Sequence, residues 1–296
     1  MKKGICIAAL LLVALAAIAG CKRQTTAPAP TPTFVFTENR QTMMAAFSAP
    51  VWAEPEYGAE RLGALTKGET VQVLGQCEQT GWYKIQLLTG PAYVSQDALV
   101  PEQSRVFALQ AANNTEQIIT VLVNDTGAEL SMHVRENGLW RLALATPAKI
   151  GQNGLGKTKE GDRKTPAGQY GFTHAFGCAP DPGTVLPYLQ VDSTYYWVDD
   201  SKSKYYNQLV TTQTVKKDWR SAERIANSTE AYTYVLAIDY NSACEPGVGS
   251  AIFLHCLPTS GAGCIAIDKT MMETVIKTVQ PGCVLIIDYE ENLMNY

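Results

Sequence analysis

The apolar residues of this chain fall in short runs closed by Gly, Pro or Asn turns, and that punctuation confines most of it to β structure. Runs at 70–74, 82–87 and 92–94 recur between polar turns, as in a small barrel. Further on, 118–123 (IITVLV), 129–135 (ELSMHVR) and 138–145 (GLWRLALA) read as strands, the first two joined by the turn signal Asn124-Asp125-Thr126-Gly127. Segments 234–240, 250–255 and 283–288 are apolar enough for buried strands. A polar connector, 101–115, separates the two groups. Two helices are expected. One, over 216–227, would put Trp219, Ala222, Ile225 and Ala226 on one face. The other starts from Asp268 as N-cap, carries Met271, Met272, Val275, Ile276 and Val279 as its apolar stripe, and stops at Pro281-Gly282. The expected fold class is mainly β with a few helices.

The N-terminus reads as a targeting segment. Lys2 and Lys3 precede an apolar stretch, 4–19, and Ile18-Ala19-Gly20-Cys21 closes it. Small residues before a cleavage point mark 1–20 as a signal peptide. The stretch is marginal for a spanning helix, which needs roughly 20 residues. Its small-small-Cys ending resembles the bacterial lipobox. That resemblance implies lipidation of Cys21, a membrane anchor and an extracytoplasmic chain. An ordinary secretory signal, or a short anchor with a chance cysteine, is the alternative. Residues 21–42, with Pro28, Pro30 and Pro32, form an extended tether. The net charge of −4 offers no basic surface to a nucleic acid.

Outside the cytoplasm, Cys77, Cys178, Cys244, Cys256, Cys264 and Cys283 could close disulfides. Cys178 and Cys244 lie in loop-like sequence and are the expected pair. Cys264 has another use. In the segment 255–267, HCLPTSGAGCIAI, a histidine ends an apolar run and a cysteine follows nine positions later in a Gly-x-Cys turn. A thiol is a weak nucleophile until an imidazole takes its proton. Gly261 and Gly263 let the backbone bend and aim N–H groups at an oxyanion. A buried inert cysteine and a core histidine would give the same spacing.

Two resemblances narrow the reading. Residues 43–101 are similar to a bacterial SH3 domain, through the segment LGALTKGETVQVL, the strand GWYKI and the strand AYVS. Such a module implies binding to cell-wall peptide or glycan, with Pro55 and Tyr57 on the exposed face and Trp82 and Tyr83 partly in the core. Residues 117–289 resemble the L,D-transpeptidase (YkuD) catalytic domain, a β-sandwich. The pattern GxTxEGDxKTPxGxF is met by Gly156, Thr158, Glu160, Gly161, Asp162, Lys164, Thr165, Pro166, Gly168 and, by conservative change, Tyr170. The His…GC[IV] pattern is met by His255, Gly263, Cys264 and Ile265.

The family resemblance implies Cys264 as nucleophile and His255 as base, with the Cys256 carbonyl holding the second imidazole nitrogen. The N–H groups of Gly263 and Cys264 would line the oxyanion hole. The implied substrates are peptidoglycan stem peptides: D-Ala leaves, a thioester remains, and an amine resolves it to a 3→3 cross-link. Water in place of the amine would make an L,D-carboxypeptidase, and a non-catalytic wall-binding lipoprotein is the third reading. Gly261 and Ala262 stand where many members carry Ser and His, so Ser260 or Thr259 would supply the hydroxyl. Asp162 and Lys164 would set a turn beside the cleft. Asp199 and Asp200 lack a His neighbour and read as a solvated loop, so no metal or other cofactor is expected. Alternatively, Asp199 and Asp200 with Trp197, Tyr205 and Tyr206 would form a rim or lid over the peptide. His133 and His174 are read as structural.

Overall fold

The computed structural model describes residues 33–258 and 261–296. Mainly β structure is observed, in two parts. The first is a seven-stranded, barrel-like sheet in the order Arg61–Leu65, Ala49–Trp52, Gly90–Val94, Tyr83–Leu87, Thr70–Cys77, Phe36–Ala45, Leu99–Pro101. Alternation drives it: Val71 and Val73 point inward while Thr70 and Gln72 face out. They meet Met43, Val51, Leu65, Ile85 and Val94 in a closed core.

The second part stacks two five-stranded sheets. One runs Leu139–Ala148, Gly127–Glu136, Gln117–Asn124, Val284–Tyr289, Gly168–Tyr170. The other runs Tyr188–Gln190, Phe172–Gly177, Val235–Ile238, Phe253–Cys256, Ile265–Ile267. Ile119, Val121, Leu130 and Met132 from the first meet Leu236, Leu254 and Ile265 from the second. The helix Lys269–Thr278 seals this core with Met272, Val275 and Ile276, and Asp268 caps it by accepting from the Thr270 N–H at 2.8 Å and the Met271 N–H at 3.3 Å. No helix among the described residues is long and apolar enough to cross a membrane.

Three expectations need correction. The segment 216–227 is no α-helix: Ala222–Arg224 is a strand on Tyr195–Val198, with Glu223 opposite Trp197, and Ile225–Asn227 is a 3₁₀ turn. Pairing along that strand satisfies backbone groups that the helical periodicity assigned to a helix. The tether ends early, because Phe36–Ala45 pairs with Thr70–Cys77. The connector, for which no packing was expected either way, buries Val106, Leu109 and Ala112 against Trp140, Ile286 and Leu293. Cys178 and Cys244 are free thiols. The Cys178 N–H is bonded to the Tyr232 carbonyl at a strand end, whereas the Cys244 thiol faces the Asn207 carbonyl from a separate loop.

Candidate active site

The strand Phe253–Cys256 carries His255, and the parallel strand Ile265–Ile267 beside it begins immediately after Cys264. Adjacent parallel strands therefore bring both side chains into one cavity of about 560 Å³. Its lining also includes Lys157, Glu160, Asp199, Glu223 and Tyr232. The turn before Cys264 requires glycine. Gly263 has φ +144°, and a Cβ there would lie 2.7 Å from the Lys164 carbonyl. Thr165, fully buried, donates to the Gly263 carbonyl and accepts from the Gly151 N–H, both at 2.8 Å. The loop 151–165 is thus the buttress that fixes the cysteine turn.

The His255 ring is buried and its Nδ1 lies 2.8 Å from the Cys256 carbonyl oxygen. A carbonyl only accepts, so Nδ1 carries the proton and the lone pair of the neutral ring sits on Nε2. Burial lowers the imidazole pKa, partly opposed by that same hydrogen bond. Tyr232 stands edge-on to the ring, with centroids 5.4 Å apart and planes at 82°, and its hydroxyl donates to Glu223 Oε1.

Cys264 is buried and donates its S–H to the Ala251 carbonyl at 3.1 Å. Burial pushes the thiol pKa up to about 12, and the Glu223 carboxylate adds to the rise. Burial also raises the Glu223 pKa, with Asp199 contributing. The resting cysteine and histidine are therefore both neutral at pH 7. Among the described residues, the N–H groups of Gly263 and Cys264 donate to no backbone carbonyl.

Lys157, also in the cavity wall, forms a buried ion pair with Asp162 at 3.0 Å. Burial alone would raise the Asp162 pKa. The N–H groups of Thr158, Lys164 and Lys159 and the Lys157 ammonium outweigh it and hold the carboxyl below the usual range. Asp162 thus closes the turn that ends at Lys164, whose N–H donates to it at 3.1 Å. Arg163 lines the cavity and donates to Gln152 Oε1 at 3.0 Å. Ala262 is exposed at the mouth beside Gly261.

Of the expected substrate rim, Asp199 lines the cavity but the aromatic members do not. Trp197 and Tyr206 are buried and do not line the cavity. Trp197 packs on Phe176 and Phe253, and Tyr206 donates to Glu160 Oε1 at 2.5 Å. Tyr205 stands edge-on to Trp219, away from the cavity. Aromatic side chains beside an acidic loop look solvent-facing in sequence, but here Trp197 lies in the central strand of the small sheet Leu209–Thr211, Tyr195–Val198, Ala222–Arg224 with its side chain buried. Asp199 lines the cavity while Asp200 caps its own turn, accepting from the Lys202 and Arg220 N–H groups at 3.0 and 2.8 Å. No cluster of metal-ligating residues occurs among the described residues. Ser260, Thr259 and Cys21 lie outside the described residues. Sequence reasoning missed Glu223, Tyr232 and Lys157 at the cavity wall. Only the run of pattern residues around Lys157 offered any signal for one of them.

His133 is buried with Nδ1 2.7 Å from Ser104 Oγ, and His174 stacks on Trp197. In the first part of the chain, Pro55 is buried, against expectation, and Tyr57 is 70% exposed with its ring edge-on to buried Trp82 at 4.8 Å.

Comparison with known proteins matches residues 48–100 to the bacterial SH3 domain family. No curated protein matches the chain. Among solved structures it is similar to Bd1075 of Bdellovibrio bacteriovorus, with 13% identity over 63% of this chain and 55% of that one and a TM-score of 0.33. It is also similar to Pgp2, the helical cell shape determining protein of Campylobacter jejuni, with 18% identity over 59% of this chain and 48% of that one and a TM-score of 0.32. The chain spans about half the length of these two proteins.

Proposed function

We propose that this chain is a cell-wall enzyme: a cysteine-dependent L,D-transpeptidase that acts on peptidoglycan stem peptides. The observation that carries the reading is one cavity holding both a cysteine thiol and a histidine whose Nδ1 is committed to a backbone carbonyl. That commitment leaves Nε2 as the nitrogen able to take a proton. The two pattern segments, 151–172 and 250–267, add the family resemblance, and the SH3 match adds a module suited to wall binding.

Because both groups rest neutral, the proton moves as the attack occurs rather than before it. The thiol proton passes to His255 Nε2 while sulfur bonds to the stem-peptide carbonyl carbon. The Gly263 and Cys264 N–H groups face the resulting oxyanion. As the carbon–nitrogen bond breaks, the imidazolium returns its proton to the departing D-Ala amine. A neighbouring stem's amine then attacks the thioester, gives its proton to His255 and expels sulfur, which is reprotonated. Lipidation at Cys21 would hold the chain on the outer face of the membrane, with residues 22–35 as spacer to the SH3 domain.

The test incubates the full-length protein in detergent with disaccharide-tetrapeptide, alongside Cys264→Ala, and reads products by liquid chromatography and mass spectrometry. The reading requires a cysteine-dependent dimer lacking one D-Ala. Cysteine-dependent tripeptide without dimer reassigns the protein as an L,D-carboxypeptidase. Equal products from both proteins sink thiol catalysis at Cys264, and no product from either while substrate binds leaves a wall-binding lipoprotein. Mass spectrometry of the mature N-terminal peptide for a diacylglyceryl group on Cys21 tests the anchor.

A further inference from the structure

The Cys264 sulfur donates to one acceptor, the Ala251 carbonyl, and that acceptor is held by residues far from it in sequence. Ala251 sits at φ +53°, a left-handed conformation that a residue with a Cβ adopts rarely, so something must hold it there. Asn207 does. Its Oδ1 accepts from the Ala251 N–H at 3.1 Å and from the Trp197 indole N–H at 3.0 Å. Its Nδ2 donates to the Asn241 and Tyr240 carbonyls at 2.9 and 3.3 Å. All four contacts of this one amide go to fixed groups, so its orientation is fully determined.

Tyr206 extends the hold. Its hydroxyl accepts from the Gly249 N–H at 3.1 Å and donates to Glu160, which also accepts from the Ser250 hydroxyl at 2.5 Å. The Gly249 position suits glycine: its φ is +129°, and a Cβ there would lie 2.4 Å from the Lys157 side chain. Three consecutive residues, Gly249, Ser250 and Ala251, are thus each fastened to Tyr206, Glu160 or Asn207. The last of them presents its oxygen to the nucleophile.

We infer that Asn207 and Tyr206 are positioning residues that clamp the Ala251 carbonyl and so hold the Cys264 thiol in its resting orientation. The inference rests on the reading above only in taking Cys264 as the reacting atom. A carbonyl that accepts from S–H stabilises the thiol and turns a lone pair toward the thiolate. Other groups also face the sulfur. Glu223 opposes the thiolate, while the Phe253 N–H and the Lys157 ammonium favour it. Tyr232, His255, Asp199 and Arg163 complete the cavity wall. The clamp differs from all of these because it works through a main-chain oxygen that no side-chain substitution at Ala251 removes.

The test is the pH dependence of iodoacetamide alkylation of the full-length protein, read at the Cys264 peptide by mass spectrometry, with thermal unfolding followed in parallel. Asn207→Gly suits the left-handed backbone at φ +56° while deleting the amide. Loss of one stabilising hydrogen bond lowers the alkylation midpoint by about one pH unit. Thiolate then rises about ten-fold below both midpoints, and intrinsic nucleophilicity falls with β of about 0.4–0.5, so alkylation speeds up roughly three- to four-fold. Tyr206→Phe, which keeps the buried ring, shifts the midpoint the same way by less. A midpoint unchanged or raised in a folded Asn207→Gly protein overturns the inference, whatever happens to thermal stability. If Asn207→Gly does not fold, Tyr206→Phe decides by the same criterion. Alkylation needs no wall substrate, so a wild-type protein without turnover would sink the transpeptidase reading and leave this measurement intact.

Discussion

Around the cavity, Lys157 and Asp162 are buried as an ion pair, while His255 and Cys264 are buried and stay neutral. Burial disfavours charge in both places, so it cannot account for the difference. Hydrogen-bond polarity does. Asp162 receives three backbone N–H groups and an ammonium, all of which stabilise an anion. Cys264 faces a carbonyl oxygen and a carboxylate, both of which resist one. The ionised pair fixes geometry, because an ion pair with that many partners has one arrangement. The neutral thiol keeps its proton available for transfer to an imidazole that is itself unprotonated.

The strongest challenge to this division is His255→Ala. If the imidazole is the proton acceptor of a neutral pair, the substitution lowers kcat by about 10²–10⁴-fold in the muropeptide assay. A loss under ten-fold would mean that sulfur ionises without it. In the wild type, burial lowers the imidazole pKa, so the acid limb of kcat/KM falls below the ordinary value of 6.5. No limb should lie between there and pH 9, because the thiol titrates far above its usual range. A bell centred near neutrality would instead indicate a preformed thiolate–imidazolium pair.

Next in size is Asp162→Asn, which leaves the Lys157 ammonium buried without its counter-ion. Breaking such a pair destabilises by about 3 kcal/mol, at the lower end for buried pairs, read by urea unfolding at pH 7. The sign with pH follows from a depressed carboxyl pKa. The stabilisation is present above the unfolded value of about 4 and is lost as pH falls below it. Asp162→Asn should therefore flatten the acid limb of the stability curve. A variant that kept the wild-type limb would show that other carboxylates set it.

The sequence made the cysteine, the histidine and their supporting loop far more readable than the elements around them. His255, Cys264 and Gly263 stand out because their chemistry admits few residue types and their spacing is short. The loop 151–165 was equally visible, since its glycines, Asp162 and Thr165 each meet a steric or hydrogen-bonding demand. The N-cap Asp268 and the helix after it were legible for the same local reason. The helix expected at 216–227 failed because Glu223 belongs to a strand whose partner, Trp197, is distant in sequence. Trp197 and Tyr206 were misplaced on a rim because the partners that bury them, Phe253 and Glu160, are distant in sequence. Asn207 acts on main-chain groups, which every residue carries, so no spacing could announce its partners.

The smallest expected effect discriminates most finely, because it edits the neutral thiol's surroundings without moving them. Glu223→Gln keeps an oxygen to accept from the Tyr232 hydroxyl and removes only the negative charge. If that charge helps hold the thiol proton, the Cys264 alkylation midpoint falls, and alkylation at a pH below it rises a few-fold after the accompanying loss of nucleophilicity. The effect should shrink as pH drops toward the range where Glu223 itself takes a proton, which burial places above that of an ordinary glutamate. At that lower pH the wild-type residue is already neutral, and variant and wild type converge. An unchanged midpoint at every pH would show that Glu223 serves only to anchor Tyr232, and would leave burial and the Ala251 carbonyl to hold the proton on Cys264.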